Sequence, residues 1–175
     1  MEINITSIKT GLPGITPVAA SQLYEAFEIC MHISGHTEKI PLAMAGLTNE
    51  SIDLLWIDDY NSQKERTYAD MQYTVEHGAV CLSVMISATL TPYTVIERSR
   101  KGTGVDYWLG AKDSVLFQKK ARLEVSGILK GDDTAINRRY AAKAEQTQQS
   151  DGLHLPVFIS VIEFSNPKAL FNKRG

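Results

Sequence analysis

Apolar side chains at Leu23, Ala26, Phe27, Cys30, Met31 and Ile33 recur at close to helical spacing, which predicts a helix over 19–33 stopped at Gly35. Ile40 to Leu47 and Ser51 to Ile57 read as two strands around Thr48-Asn49-Glu50, followed by a loop at 58–62. Tyr68, Gln72, Val75, Ala79, Leu82 and Ile86 step by three and four, the stripe of a long packed helix. Tyr93 to Arg98 is rich in β-branched and aromatic residues and predicts a strand. After the turn Gly102-Thr103-Gly104, Val105 to Leu109 predicts a second. Lys120 to Ser126 alternates polar with apolar, the period of a strand with one buried face. Asp132-Asp133-Thr134 is placed to cap a helix running to about Gln149. Val157 to Ile162 is almost wholly apolar, as in a strand covered on both faces. The second part of the chain therefore reads helix, three strands, helix, strand, which suits a mixed sheet with helices packed on it. Three strands joined by short turns form a meander, and a crossover helix lets the fourth pair in parallel.

Composition changes this picture little. The 175 residues are 43% hydrophobic and 22% charged, ordinary for a globular protein. No apolar run approaches the roughly 18 residues of a membrane span, and Met1-Glu2-Ile3-Asn4 lacks the layout of a signal peptide. Two cysteines, Cys30 and Cys81, are too few for a disulfide framework and read as reduced, buried thiols. The expected setting is the cytoplasm, with no membrane partner.

Charge is more informative. Residues 1–66 carry 9 acidic and 4 basic side chains, whereas 67–175 carry 11 acidic and 14 basic. The basic residues cluster at Arg98-Ser99-Arg100-Lys101, Lys119-Lys120-Ala121-Arg122 and Arg138-Arg139. Gathered on one face they would contact phosphates; scattered, they are solvated turns and edges.

Metal-dependent phosphodiester cleavage needs hard oxygen ligands and a group that orients the attacking water. Asp106 interrupts an apolar strand, where an unpaired charge is costly. Glu124 shares a strand face with Arg122 and Ser126, so two paired strands would bring both carboxylates to one ion. Glu76 interrupts the apolar helix, and the stripe Ile136, Tyr140, Lys143, Thr147 turns Lys143 toward the sheet with Gln146 one turn on.

Glu76 on a helix, Gly104-Val105-Asp106 on a strand and Glu124-Val125-Ser126 on the next resemble the PD-(D/E)xK, or restriction-endonuclease-like, nuclease superfamily, over about residues 67–164. The resemblance implies an α/β fold with an α-β-β-β-α-β core at 67–175, and leaves residues 1–66 as a helix-plus-hairpin elaboration packed on it, or a surface for a protein partner. It implies a hydrolase acting on DNA with Mg²⁺ or Mn²⁺ at Asp106 and Glu124, and Glu76 as the helix acid. Two positions depart from the family pattern. Val105 precedes Asp106 in place of proline, and Ser126 stands where the family has lysine, so Lys143 or Gln146 would supply the missing group from the following helix and Ser126 a hydrogen bond to a water on the ion. The rival readings are a nuclease scaffold kept for protein or nucleic-acid binding without catalysis, and an unrelated α/β binding domain.

Other groups carry less. Cys30 and His32 point roughly 200° apart on a helix, so with His36 they make a poor zinc site. His77 reads as a bystander beside Glu76, and His154 as a loop residue. Trp56, Tyr107 and Trp108 read as packing residues rather than base-stacking platforms.

Overall fold

The fold was taken from a computed structural model that describes residues 1–113 and 117–174. Its eight strands are β1 (Glu2–Asn4), β2 (Lys39–Gly46), β3 (Ile52–Leu55), β4 (Tyr93–Arg98), β5 (Tyr107–Ala111), β6 (Ala121–Ile128), β7 (Val157–Glu163) and β8 (Lys168–Arg174). They form one mixed sheet in the order β1-β3-β2-β8-β7-β6-β5-β4. The helices are α1 (Pro17–Ile33), α2 (Ser62–Thr67), α3 (Met71–Leu90) and α4 (Asp133–Gln146), with 3-10 turns at Ile5–Thr10 and Thr147–Leu153. The architecture is α/β, as the residue pattern predicts.

Each long helix starts at a short polar side chain that accepts orphan amide hydrogens. Thr16 caps α1 ahead of Pro17, Asp70 accepts from Gln72 and Tyr73, and Asp132 accepts from Ala135 at 2.8 Å. The stripe Val75, Ala79, Leu82 and Ile86 is buried against the sheet, while Tyr68 lies before α3 at the end of α2. Tyr68 fits the periodicity only by coincidence, because Asp70 restarts the helix.

β4, β5 and β6 form an antiparallel meander, and α4 crosses over so that β7 pairs parallel to β6. α3 and α1 cover one face of this part of the sheet, and α4 the other. On β7, Phe158 and Ile162 belong to the α1/α3 core, whereas Val157, Ile159 and Val161 pack with Ile136 of α4. That double coverage explains why β7 reads as a continuous apolar run. On β6 the same alternation sends Leu123 and Val125 toward α3. Arg122, Glu124 and Ser126 are thereby directed toward α4.

Four elements have no counterpart in the residue pattern: β1, α2, the 3-10 turn at Ile5–Thr10, and β8. β8 matters most. It pairs antiparallel with β7 and parallel with β2, so the β2–β3 hairpin joins the same sheet instead of lying over it. The second meander strand also begins later than its sequence suggests, at Tyr107, and the helix expected to reach Gln149 gives way to a 3-10 turn at Thr147. Both cysteines are buried and free, and burial pushes the Cys30 thiol up to about 12, so neither is a ready nucleophile. No helix among the described residues is long and apolar enough to cross a membrane.

Gly127 sets the spacing between β6 and α3. A Cβ there would stand 2.4 Å from the Val75 carbonyl oxygen and 2.7 Å from its Cγ1. Gly127→Ala is expected to destabilise the protein by about 2 kcal/mol in chemical denaturation, since backbone must move to admit the methyl group. A loss below about half a kcal/mol would mean that α3 is free to retreat.

Candidate functional site

The site lies where β5 ends its partnership with β6. The last β5 pair is Tyr107 with Leu123, and β6 continues to Ile128 beside β7 alone. Asp106 occupies this fork, one residue before β5. Its amide donates to the Leu123 carbonyl at 3.0 Å, and its Oδ2 accepts from the Val125 amide at 2.8 Å. Asp106 is thus fastened to both neighbours of Glu124 and takes over a β6 amide that has lost its strand partner.

Glu124 points toward α4 and is 1% exposed. Its Oε1 accepts from Lys143 Nζ at 2.5 Å and from Gln146 Nε2 at 2.9 Å, and Lys143 Nζ also lies 3.3 Å from Gln146 Oε1. Its Oε2 has no hydrogen-bond partner among the described residues. Burial, joined by the charge of Asp106 and a side-chain hydrogen bond with it, pushes the Glu124 carboxyl up to about 7 against the opposing pull of Lys143. Two carboxylates brought this close need a proton or a cation between them.

The other buried glutamates show what a satisfied acid looks like in this fold. Glu28 takes the Lys64 ammonium at 2.7 Å and the Asp59 amide. Glu163 accepts from the amides of Gly131, Ser165 and Asn166 with both oxygens. Both hold loops in place. Glu124 alone of the three keeps an unpartnered oxygen.

A cavity of about 220 Å³ opens beside this pair, and Asp106, Ser126, Lys143 and Glu76 line it. Glu124 and Gln146 lie behind Lys143. All six residues singled out in the sequence therefore converge on one place, though not equally. Glu76 is exposed on α3, where Gln72 Nε2 approaches its Oε1 at 3.5 Å, so it stands at the rim. Lys143 is a buried-side partner of Glu124, not a surface lysine.

Three groups enter the site that the residue pattern left aside. His77 lines the cavity together with Glu76 and Val80 of α3. Its Nδ1 is bound to the Tyr73 carbonyl and its ring stacks on Tyr73. Arg98, the last residue of β4, and Arg139, one turn before Lys143, supply two guanidinium groups. The spacing of Arg139 four residues before Lys143 was the signal available for it. Leu23 of α1 closes one wall, so the N-terminal part of the chain contributes to the cavity.

The basic clusters divide. Arg122 is buried, giving Nε and NH2 to the Leu155 carbonyl and NH1 to Ser150 Oγ at 2.8 Å, and so holds the 3-10 turn. Lys119 pairs with Glu97 at 3.0 Å and lies over the Trp108 ring. Neither faces the cavity. Cys30, His32 and His36 also part company: Cys30 is in the core, His32 stacks on Tyr60, and His36 bonds the Phe164 carbonyl. His154 ends the 3-10 turn in a left-handed conformation at φ 52°. Trp56, Tyr107 and Trp108 are buried.

Asp106 at the cavity and Glu124 beside it offer oxygen ligands of the kind a hard divalent ion takes, although no group of three or more His, Cys, Asp or Glu side chains able to hold a metal occurs among the described residues. Mg²⁺ keeps several waters and commonly uses only one or two carboxylates, so the pair is compatible with it. Searches against protein-family models, curated proteins and solved structures return no match to this chain.

Proposed function

We propose that this protein is a divalent-metal-dependent phosphodiesterase acting on DNA, built on a core similar to that of the PD-(D/E)xK nucleases. The observation that carries the reading is the buried, unpartnered oxygen of Glu124, set against Asp106 at the edge of a cavity. Leaving such an atom unsatisfied costs about 1–3 kcal/mol, more for a charged group. The order α3, β4–β5–β6, α4, β7, antiparallel through β6 and then parallel, supports the same reading.

Asp106 and Glu124 would hold Mg²⁺ or Mn²⁺, which supplies charge neutralisation at the phosphate and a more acidic water. The remaining work falls to the chain. Backbone bonds fix Asp106 in place, so its carboxylate needs no rearrangement to act. Lys143 Nζ, anchored by Glu124 and Gln146, would take the part of the strand lysine that Ser126 replaces and orient the attacking water. Gln146 holds the Glu124 carboxylate in its rotamer. Glu76 at the rim would position water or substrate on the opposite side.

The second reading is a nuclease scaffold that binds nucleic acid or protein without cutting. Ser126 at the usual lysine position favours it, as does the ion pair in which Lys143 already neutralises Glu124. The test is cleavage of plasmid and single-stranded DNA with Mg²⁺ or Mn²⁺ against a chelator control. Metal-dependent cutting that disappears in Asp106→Ala and Glu124→Ala supports catalysis, and cutting retained by either variant removes this site.

A further inference from the structure

α4 sends two cations to the cavity, one turn apart, and they are held differently. Lys143 is bound to Glu124. Arg139 is exposed and gives NH1 to Ser126 Oγ at 3.2 Å. Arg98 comes from β4 across the cavity and is exposed as well. Neither arginine forms an ion pair with a carboxylate among the described residues, whereas Lys64, Lys119, Arg122, Lys143, Lys168 and Arg174 all do. Two guanidinium groups without carboxylate partners flank one opening. Their fork of donors matches the oxygens of a phosphate, and they stay charged at any physiological pH.

Size narrows what they could grip. At about 220 Å³ the cavity is below the roughly 300–1,000 Å³ of pockets that enclose a drug-sized ligand. A phosphodiester group fits such a space.

We propose that Arg139 and Arg98 form the anion-binding site of this cavity and grip the nonbridging oxygens of a nucleic-acid phosphodiester beside Asp106 and Glu124. The proposal rests on the phosphodiesterase reading and assigns the substrate contact within it. Ser126 is then a positioning residue. Where a lysine on β6 would bring its own charge, the serine holds a charge delivered by α4. Recognition through the phosphate also implies binding without preference for base, since sequence is read at base edges.

The experiment measures binding of a labelled oligothymidylate as a function of salt, with divalent ions chelated so that nothing is cut, and of inorganic phosphate in parallel. Arg139→Ala and Arg98→Ala are each expected to weaken oligothymidylate binding about tenfold and to lower the salt slope by about 0.7, the value of one lost phosphate contact on a single strand. Arg139→Lys should keep the slope and lose part of the affinity, because the charge remains and the fork does not. Both arginines are exposed, so the variants retain the fold. Unchanged affinity and slope in both alanine variants overturn the anion site, even if the wild-type protein cuts DNA. Phosphate binding that vanishes in Arg139→Ala, in a protein that cuts no DNA, keeps the anion site and removes the nuclease reading. A wild-type protein that binds neither probe removes both.

Discussion

Asp106→Ala and Glu124→Ala should each lower metal-dependent DNA cleavage by at least about a thousandfold, equivalent to losing roughly 4 kcal/mol of transition-state stabilisation. Asp106 and Glu124 are the two carboxylates assigned to the ion, and removing either leaves one of them. Asp106 carries a second burden, because its Oδ2 satisfies the Val125 amide. Asp106→Asn keeps an acceptor for that amide and is the cleaner variant for separating chemistry from folding. Titration with Mn²⁺ gives a readout independent of cleavage. Glu124 must lose its proton to bind a cation, and burial holds its pKa at about 7. Mn²⁺ affinity should therefore rise close to tenfold per pH unit up to about pH 7 and level off above it. An affinity that ignores pH between 5 and 8, or survives in both variants, would dissociate metal binding from this pair.

Glu124→Gln is expected to stabilise the metal-free protein at alkaline pH by about 3 kcal/mol, or roughly 10 °C in Tm. The sign follows from the direction of the shift. An acid whose folded pKa is raised, here from 4.5 to about 7, favours the folded state while protonated. That contribution is fully present below about pH 4.5, declines as pH rises, and is gone above about 7. Glutamine mimics the protonated acid and never ionises. It also retains an oxygen for Lys143 and Gln146 and gains hydrogens to offer Asp106. The two proteins should match near pH 5 and diverge by pH 8, in thermal melts with a chelator present. Divalent ions should then raise the Tm of the wild-type protein and leave that of the variant where it was. A difference that stays constant across this range would mean that Glu124 ionises like an exposed carboxylate.

The consequence for function is that Glu124 is a poorly solvated charge waiting for a partner. Lys143 and Gln146 both bind Oε1, so they neutralise one side of the carboxylate and leave Oε2 without a donor among the described residues. Natural chains leave few buried polar atoms unpaired, and such atoms are kept where function requires them. Glu28 and Glu163, equally buried and fully bonded, show that this fold can satisfy an internal glutamate when only structure is at stake.

Local periodicity carried far along the chain, since burying one face of a helix or strand repeats on a scale of a few residues. That is why α1, α3, β4, β6 and β7, and the alternation that turns Glu124 toward α4, can be read from residues such as Val75, Leu82, Leu123 and Val157. The chemical types at the site were legible from the same local patterns: Glu76 and Asp106 as polar groups set into apolar runs, Glu124 and Ser126 as the polar face of an alternating strand, and Lys143 and Gln146 as one side of a helix. β8 left no such trace, because Lys168 to Arg174 mixes charged and apolar residues and gains its strand identity from β2 and β7 on either side. Only the folded chain decided that β5 and β6 part at Leu123, that Asp106 takes the freed Val125 amide, and that one oxygen of Glu124 goes without a partner. It also decided which cations matter. Arg122 and Arg139 look alike in a basic cluster, yet one is buried under a 3-10 turn and the other stands at the cavity mouth. Such distinctions depend on contacts between residues far apart in the chain, and no spacing within a single element encodes them.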